Sequence, residues 1–396
     1  MQYDYDLLIV GGGLAGNCLA LALRHTNLRI AIIEANTREQ LHDSPAGDRA
    51  LALAYGTVMM LEKLNSWQGI SHKATPIKHI HISDRGHFGK TRLSAQKEQV
   101  EALGYVITAR DIETHVANLV VEAGITFIAP ARVIGLMPGD KEICVSLKQG
   151  NESLTVSAKL LVGADGGSSS VRQLLDIPQQ ITEYGQTALV TTVKSTVPNK
   201  NTAFERFTSS GPLALLPVAK NQCAVVWTRT NQDAEELMSG SDTDFLANLQ
   251  QCFGFKLGEL SLSAPRRAFP LSLIRAETII AGRAVIIGNA AHQLHPVAGQ
   301  GFNLGLRDVV QLAEKLVKQS GLNNDIGEAN FLNEYAIARK KDHDRTIGFT
   351  DTVVKIFSNE WLALAVARNI GLTLLDHIPV AKKLLTRHAM GLAGKT

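Results

Sequence analysis

The chain has little cysteine, with 4 in 396 residues. The four are scattered, at Cys18, Cys144, Cys223 and Cys252, and form no C-x-x-C pair. The sequence therefore predicts neither a disulfide framework nor a zinc site. The chain also has no large excess of charge of one sign. It has 40 Lys and Arg residues and 37 Asp and Glu residues, which gives a formal charge of +3. This balance gives no indication of nucleic-acid binding. The cysteine usage is typical of a reducing, cytoplasmic environment.

Long apolar runs are also missing. A bilayer-spanning helix needs about 20 apolar residues, and the nearest candidate, residues 361–375, is interrupted by Arg368, Asn369 and Gly371. The first residues carry no basic segment before an apolar run, so no signal peptide is expected. A length of 396 residues with 45% hydrophobic content is enough for a large core, and we expect two domains.

Glycine, by contrast, is concentrated in two informative segments. The first, residues 11–16 (GGGLAG), follows an apolar run and precedes apolar residues at helical spacing. We predict a buried strand over residues 5–10, a helix over residues 14–24 and a second strand over residues 28–34. This β-α-β order around a glycine turn is typical of dinucleotide-binding folds.

The residues of the first turn have distinct predicted tasks. Gly11 permits the tight turn, Gly13 lets the backbone approach a pyrophosphate, and Gly16 allows the helix to pack closely on the strand. The helix N-terminus, which includes Ala15, directs free N–H groups at the phosphates. Glu34 ends the second strand, where an acid can bind the adenosine ribose hydroxyls.

The second segment covers residues 282–303 and suits the ribityl and flavin half of FAD. We predict a turn that enters a helix and contacts the flavin through Gly299, Gln300, Gly301, Phe302 and Asn303. A helix N-terminus directed at the flavin stabilises the negative charge that its pyrimidine edge acquires on reduction. Pro296 is expected to shape the pocket wall over the flavin ring. With both segments, the chain is predicted to hold one FAD.

Three motifs in this order resemble the FAD-dependent aromatic hydroxylases, the class A flavin monooxygenases of the para-hydroxybenzoate hydroxylase type. They are the first glycine segment with Glu34, residues 163–172 (GADGGSSSVR) and residues 288–303. The resemblance runs the full length and narrows to the hydroxylases of ubiquinone biosynthesis. The narrowing features are SDRGH (residues 83–87), FERFT (204–208), GPLALLP (211–217), Asn289 and GFTD (348–351).

The resemblance implies roles for further residues. Asp165 is expected where FAD and the nicotinamide donor can both be contacted, although an Asp before small residues also caps helices well. Asn289 stands where the family commonly has an Asp that bonds the ribityl hydroxyls, and an amide can still bind a hydroxyl. Arginines near the FAD phosphates or the flavin are expected at Arg49 and Arg110.

Pattern and resemblance together predict an α/β fold. A Rossmann-like FAD-binding domain of the glutathione-reductase type carries an inserted antiparallel β-sheet substrate domain and a C-terminal helical segment. We expect the FAD-binding domain in residues 1–75, 100–180 and 281–330, the substrate domain in 76–99 and 181–280, and the helical region in 331–396. Within these limits we predict strands over 76–93, a helix over 106–123, a β-meander over 125–165, antiparallel strands over 185–280 with a helix near 243–253, and helices from about 302 onward.

An apolar substrate pocket is predicted on the inserted sheet, lined by Phe204, Arg206, Phe207, Leu213, Leu215 and Pro217. Such a pocket suits a prenylated ring. The resemblance implies that NAD(P)H reduces FAD, that the reduced flavin traps O2 as a C4a-hydroperoxide, and that a phenol carbon is then hydroxylated. The implied reaction converts 2-polyprenyl-6-methoxyphenol to 2-polyprenyl-6-methoxy-1,4-benzoquinol. No residue stands out in the sequence as the base for the phenol.

Other functions stay open at this point. Hydroxylation of another ring position or aromatic substrate fits the motifs, as does a non-catalytic FAD subunit of a biosynthetic complex. Halogenation fits poorly, since flavin halogenases usually carry W-x-W-x-I and the tryptophans here stand alone. His79 and His81 share one side of a strand, but no cysteine or acid cluster joins them, so no metal site is predicted.

The C-terminal segment is apolar and then basic. After Asp376 no acid follows, and the basic residues are Lys382, Lys383, Arg387 and Lys395. It is interpreted as a peripheral contact at the inner face of the membrane, a docking helix for other ubiquinone-biosynthesis proteins, or a packed helix. Homo-oligomerisation is left open.

Overall fold

The computed structural model describes residues 3–86, 89–294, 299–357 and 378–392, and strands and helices are numbered in chain order. An eight-stranded sheet contains β1 (Tyr5–Val10), β2 (Ile30–Ile33), β8 (Thr126–Ile128), β9 (Arg132–Pro138), β10 (Ile143–Gln149), β11 (Glu152–Gly163), β18 (Ile280–Ala281) and β19 (Ala284–Ile286). A three-stranded sheet contains β3 (Ala50–Ala54), β4 (Thr75–Ile77) and β7 (Gly104–Thr108). A nine-stranded sheet contains β5 (His79–Asp84), β6 (Lys90–Ser94), β12 (Gln179–Ser195), β13 (Thr202–Thr208), β14 (Gly211–Ala219), β15 (Gln222–Thr230), β16 (Leu260–Leu262), β17 (Arg267–Ala276) and β20 (His292–Gln293).

The α-helices of the described ranges lie between and after these strands. They are α1 (Leu14–Leu23), α2 (Arg38–His42), α3 (Tyr55–Lys63), α4 (Ala109–Glu122), α5 (Ser170–Leu174), α6 (Asn231–Ser239), α7 (Asp242–Phe253), α8 (Gln300–Gly321), α9 (Ala329–Phe357) and α10 (Pro379–Ala389).

The eight-stranded sheet has a parallel centre in the order β8, β2, β1, β11 and β19. Leu7, Leu8 and Ile9 of β1 are each 0% exposed. Parallel strands that are covered on both faces read as continuous apolar runs of this kind. The predicted β-α-β unit is confirmed, because β1, α1 and β2 fall within the expected ranges.

The predicted β-meander is confirmed for β9, β10 and β11, which pair antiparallel, whereas β8 pairs parallel with β2. β11 then pairs with β1 and returns the chain to the first β-α-β unit. The predicted helix over 106–123 begins later than expected, at Ala109. Val106 and Ile107 are β-branched and pair with β3 instead. Thr108 caps α4 by accepting a hydrogen bond from the Asp111 N–H.

One face of the nine-stranded sheet is covered by α6 and α7. Leu213, Leu215 and Trp227 pack there with Phe245 in a single core cluster. The rings of Trp227 and Phe245 meet edge to face with centroids 5.7 Å apart, a geometry that adds about 0.5–1.5 kcal/mol beyond area burial. The helix predicted near 243–253 is confirmed as α7, whereas α6 was not predicted.

The opposite face of this sheet meets the three-stranded sheet. Ala203, Leu216 and Val218 pack there against Ile77 and Val106. The nine-stranded sheet is therefore sandwiched between its own helices on one side and the small sheet on the other. Apolar residues are needed on both faces of its central strands for this reason.

The helical pattern predicted from about residue 302 is confirmed for α8, α9 and α10, while residues 358–377 and 393–396 lie outside the described residues. Within the described ranges, no helix combines the length and the apolarity that crossing a membrane requires. The domain limits stay predictions. Two strand pairings cross these limits. β4, which reaches into the predicted substrate segment 76–99, pairs with β7 of the predicted FAD-binding segment 100–180. β20, in the predicted FAD-binding segment 281–330, pairs with β17 of the predicted substrate segment 181–280.

Candidate functional site

Three motifs that are distant in sequence meet at the carboxyl ends of β1 and β11. A Cβ placed on Gly11 would lie 2.5 Å from the carbonyl oxygen of Ala164 in the second motif. A Cβ placed on Gly288 would lie 3.4 Å from the Cβ of Ala15. The first glycine turn therefore touches both other motifs, at the sheet edge where open α/β folds bind ligands.

Arg172 fastens the second motif to the third. Its side chain is buried, Nη1 donates to the carbonyl of Ala290 at 2.9 Å, and Nη2 donates to the carbonyl of Gly167 at 2.8 Å. Since backbone carbonyls fix where the guanidinium lies, the loop after β11 and the turn after β19 are held in one arrangement.

The first glycine turn has the geometry of a phosphate cradle. Gly11 has φ +106°, and a Cβ on Gly16 would lie 2.0 Å from the carbonyl oxygen of Gly11, so neither position accepts a side chain. Gly13 begins α1, and nothing lies within 4 Å of a Cβ built on it. The open space beside Gly13 and the free N–H groups at the start of α1 are compatible with the predicted pyrophosphate site. Contacts of these glycines with FAD stay predictions.

Glu34 is held by the turn that it faces. Its Oε2 accepts from the Gly12 N–H at 2.7 Å, and its Oε1 accepts from the N–H of Asn36 at 2.8 Å and from its Nδ2 at 3.0 Å. A carboxylate has about four acceptor positions, so one position is left for a ribose hydroxyl. The geometry is compatible with the predicted role.

Asn289 projects outward from the 3₁₀ turn Gly288–Ala290. Gly288 and Ala290 are buried, whereas Asn289 is exposed. Its side chain forms no hydrogen bond with any described residue. An open amide offers one acceptor and two donor hydrogens, which fits the hydroxyls of a ribityl chain.

The start of α8 supplies further predicted flavin contacts. Gly299 caps the helix at φ +62°, and nothing lies within 4 Å of a Cβ built on Gly301. Gln300 is buried, and Phe302 is partly buried against the main core. These roles stay predictions, and Pro296 lies outside the described residues.

The side chain of Asn303 is hydrogen-bonded to neighbouring segments of the protein. Its Oδ1 accepts from the Ala54 N–H at 3.1 Å and from the Thr57 hydroxyl at 2.5 Å. Its Nδ2 donates to the carbonyls of Gly299 at 2.7 Å and Ala52 at 3.3 Å. Because every donor and acceptor of the amide is used, the Asn303 side chain braces α8 against β3, and its contact with FAD stays a prediction.

Asp165 serves the start of α5. Its Oδ1 accepts from the Ser169 hydroxyl at 2.5 Å, and its Oδ2 accepts from the Ser170 hydroxyl at 2.9 Å and the Val171 N–H at 3.1 Å. The capping residue itself is Ser169, which accepts from the Arg172 N–H. Asp165 therefore supports the helix start from one turn upstream, and its contact with FAD stays a prediction.

Arg49 and Arg110 lie near one another. Burial raises the pKa of Glu113, and the charges of both arginines lower it. Arg110 Nη2 donates to Asp48 at 2.7 Å and to the carbonyl of Ser44 at 3.2 Å. The approach of either arginine to FAD stays a prediction.

Three predicted pocket residues lie on the helix-covered face of the nine-stranded sheet. Phe204, Leu213 and Leu215 are buried in the core beneath α6 and α7. Phe204 also borders a cavity that is lined by His79, His81 and Lys256, and the role of all three predicted residues in a substrate pocket stays a prediction. β14 is apolar at every position from Pro212 to Val218, so hydropathy alone does not distinguish its two faces.

The other predicted pocket residues divide between the faces. Arg206 donates through Nη1 to the carbonyl of Phe253 in α7 at 2.8 Å, so it also lies on the helix side. Alternation along the strands places Pro217 with Leu215 and places Phe207 on the opposite face. The pocket roles of Arg206, Pro217 and Phe207 stay predictions.

Glu205 is a group that the sequence analysis missed. It lies between Phe204 and Arg206 on β13, so alternation directs it to the face shared with Ala203 and Leu216. Burial raises the pKa of Glu205 to about 7. Its carboxylate has no hydrogen bond or ion pair with the described residues. The signal in the sequence was an acid inside an apolar strand.

Among the described residues, one buried group has the composition of a metal site: His292, Asp308 and His343. Arg339 is fully buried and donates through Nε to the same carboxylate of Asp308 at 2.7 Å. A guanidinium at that distance already supplies the positive charge that a metal ion would bring. The group is therefore described as an ion-pair network.

Comparison with known proteins identifies the family. The FAD-binding domain family matches residues 4–347. The chain is 35% identical over 395 residues to the ubiquinone hydroxylase UbiL of Rhodospirillum rubrum, covering 98% of this chain and 89% of that protein. It is 28% identical over 390 residues to the 3-demethoxyubiquinol 3-hydroxylase of Escherichia coli, covering 98% of each.

Solved structures share the fold. The p-nitrophenol 4-monooxygenase of Pseudomonas putida superposes with a TM-score of 0.80 at 18% identity, covering 100% of both chains. The anhydrotetracycline hydroxylase OxyS of Streptomyces rimosus gives a TM-score of 0.74 at 21% identity, covering 98% of this chain and 76% of that one.

The chain therefore belongs to the FAD-binding domain family, and it is an FAD-dependent monooxygenase. Within that family it groups with the ubiquinone-biosynthesis hydroxylases, as its sequence motifs predicted. The phosphate cradle at Gly13 and the open amide of Asn289 fit the two halves of FAD.

Proposed function

We propose that the protein hydroxylates a polyprenylated phenol in ubiquinone biosynthesis, with NAD(P)H and O2 as co-substrates. The specific reaction proposed is 2-polyprenyl-6-methoxyphenol to 2-polyprenyl-6-methoxy-1,4-benzoquinol. The observation that carries the proposal is the 35% identity with the ubiquinone hydroxylase of Rhodospirillum rubrum over nearly the whole of both chains. Bound FAD supplies the redox chemistry, and the protein supplies position, charge and exclusion of water.

The phenol is proposed to lie between the start of α8 and the face of the nine-stranded sheet that carries Glu205. Ala214 pairs directly with Glu205 across β13 and β14, and Leu216 follows on the same face. Small and apolar side chains around one carboxylate suit an aromatic ring with a single polar edge.

Glu205 is proposed to accept the proton of the phenol hydroxyl. A carboxylate whose pKa is about 7 can take up a proton near neutral pH and return it to solvent afterwards. Removing the phenol proton makes the ring a stronger nucleophile at the position to be hydroxylated. The lack of a competing partner among the described residues leaves the carboxylate available to the substrate.

The test is a product assay with two substrates. Purified holoenzyme, NAD(P)H and O2 are mixed with a short-chain 2-prenyl-6-methoxyphenol or with the corresponding demethoxyubiquinol, and the extracts are analysed by mass spectrometry. One added oxygen para to the phenol hydroxyl supports the proposal. NAD(P)H oxidation that yields only hydrogen peroxide with both substrates contradicts it.

Hydroxylation of another ring position is the second candidate. It is favoured by the 28% identity with the Escherichia coli protein named for 3-hydroxylation of demethoxyubiquinol. Product from the second substrate alone would select it. A non-catalytic FAD subunit would give no substrate-stimulated NAD(P)H oxidation with either.

A peripheral membrane contact through residues 377–396 is proposed as well. Lys382 of α10 borders a cavity of about 610 Å3 whose other cationic lining residues are Arg92, Lys97, Lys200 and Lys256. No acid is among the described residues that line this cavity, so it would attract anionic headgroups. Deletion of residues 377–396 should reduce membrane association and ubiquinone synthesis in cells. Unchanged association would contradict this contact.

A further inference from the structure

A buried carboxylate lies directly beneath the turn that carries Asn289. Asp308 of α8 is 1% exposed. Its Oδ2 accepts from the Gly288 N–H at 3.1 Å and lies 2.7 Å from His292 Nε2. Its Oδ1 accepts from Arg339 Nε at 2.7 Å and lies 2.7 Å from His343 Nε2. Four partners fill both oxygens.

The charge of Asp308 is retained despite its burial. Burial alone would raise its pKa, but the charges and hydrogen bonds of His292 and His343 hold the pKa of Asp308 well below its ordinary value. Arg339 is fully buried beside it and also lies 2.8 Å from Asp342 through Nη1. An anion and a cation that neutralise each other in a dry interior hold a fixed geometry, because separating them exposes an uncompensated charge.

The carboxylate of Asp308 contacts the turn around Asn289 at both of its ends. Gly288 precedes Asn289 and donates its N–H to Asp308, while His292 follows three residues after Asn289 and contacts the same carboxylate. A Cβ on Gly305 would lie 3.3 Å from the Cα of Gly288, so the turn rests directly on α8.

The ring of His292 contacts Asp308 and also meets the ring of His343 edge to face, with centroids 4.5 Å apart. Its Nδ1 is buried and has no hydrogen-bond partner among the described residues. A buried nitrogen left without a partner is costly, and the contact with Asp308 offsets that cost by holding the ring in one orientation. Asn289 is therefore placed between two anchors that share one carboxylate.

We propose that Asp308 is a positioning residue for FAD, which holds Asn289 where the ribityl chain binds by anchoring Gly288 and His292. It acts through the turn and does not touch the cofactor itself. The inference concerns FAD binding and does not depend on which phenol is hydroxylated.

The chain offers a matched control in Asp342. This residue pairs with Arg339 and, through a 2.8 Å contact, with Arg307, and it belongs to the same network. It contacts neither Gly288 nor His292 in the described structure. Asp308→Asn and Asp342→Asn therefore both weaken the ion pairs of Arg339, but only the first replaces the carboxylate that anchors the turn, leaving one acceptor oxygen where there were two.

The experiment measures FAD affinity and stability separately. Dissociation constants are obtained by titrating deflavinated proteins with FAD, and stability is obtained from urea unfolding of the same FAD-free proteins. Both variants should unfold at lower urea concentration. Asp308→Asn should raise the Kd for FAD by about tenfold or more, whereas Asp342→Asn should leave it close to that of the unmodified protein.

A second pair keeps the test decisive if Asp308→Asn fails to fold. His292→Gln changes the anchor on the turn, and His343→Gln changes the contact to Asp308 from α9. The first should weaken FAD binding more than the second. Equal loss of FAD affinity within each pair, in proportion to the loss of stability, would overturn the proposal and leave Asp308 a purely structural residue.

Discussion

Glu205→Gln is the substitution that most directly tests the proposed site. The variant keeps the shape of the side chain and removes its ability to ionise. The folded protein holds the pKa of Glu205 at about 7, compared with an ordinary value of 4.5. A difference of one in pKa corresponds to about 1.4 kcal/mol, so folding disfavours the ionised form of Glu205 by about 3 kcal/mol.

The sign of the stability effect follows from linkage. The pKa in the folded state lies above the pKa in the unfolded state, so the protonated side chain favours folding below pH 4.5. That contribution is lost as the pH rises through about 7. The difference in unfolding free energy between Glu205→Gln and the unmodified protein should therefore shift by about 3 kcal/mol between pH 5 and pH 8, in favour of the variant.

The assay is urea unfolding of both FAD-free proteins at several pH values, followed by turnover of the holoenzymes. Glu183→Gln, an exposed position on β12 of the same sheet, serves as the control and should show no such shift. Loss of a general base lowers the rate by about 100-fold to 10,000-fold, and the rise in hydroxylation rate near pH 7 should vanish in Glu205→Gln. A flat stability difference across pH would refute the inferred burial of the carboxylate. Unchanged product formation would refute its role as base.

Four further substitutions test the remaining geometry. Gly16→Ala should give protein without bound FAD, because the new Cβ would lie 2.0 Å from the Gly11 carbonyl oxygen. The measurement is the flavin-to-protein absorbance ratio, and a normal ratio would contradict the close packing of the turn. Asn289→Ala should raise the Kd for FAD with unfolding in urea unchanged, since the side chain is exposed and bonds no described residue; an unchanged Kd would exclude the ribityl contact. Leu213→Ala should cost about 2–5 kcal/mol of stability as a core truncation with little change in KM. Leu216→Ala should raise KM with a smaller loss of stability. A higher KM in Leu213→Ala than in Leu216→Ala would instead place the substrate on the helix-covered face.

The cofactor half of this protein was largely predictable from its sequence. Gly11 and Gly16 occupy positions where the backbone leaves no room for a side chain, so the residue type itself reports the turn. The parallel strands are apolar on both faces and are followed at once by glycine, which indicates the β-α-β unit before any contact is known. Local backbone constraints of this kind depend on consecutive residues, so they can be recognised in the sequence.

The substrate half was decided by tertiary structure. β14 is apolar on both faces, so only the packing of α6 and α7 determines that Leu213 lies beneath these helices while Leu216 lies against the three-stranded sheet. Glu205 and Asp308 likewise acquire their properties from distant segments, through burial and through partners up to 35 residues away. The sequence by itself predicted which turns bind the dinucleotide, because those turns depend on residues next to one another. The tertiary structure alone decided which faces are covered, which charges are buried and which segments anchor one another, because burial and long-range pairing exist only once the chain is folded.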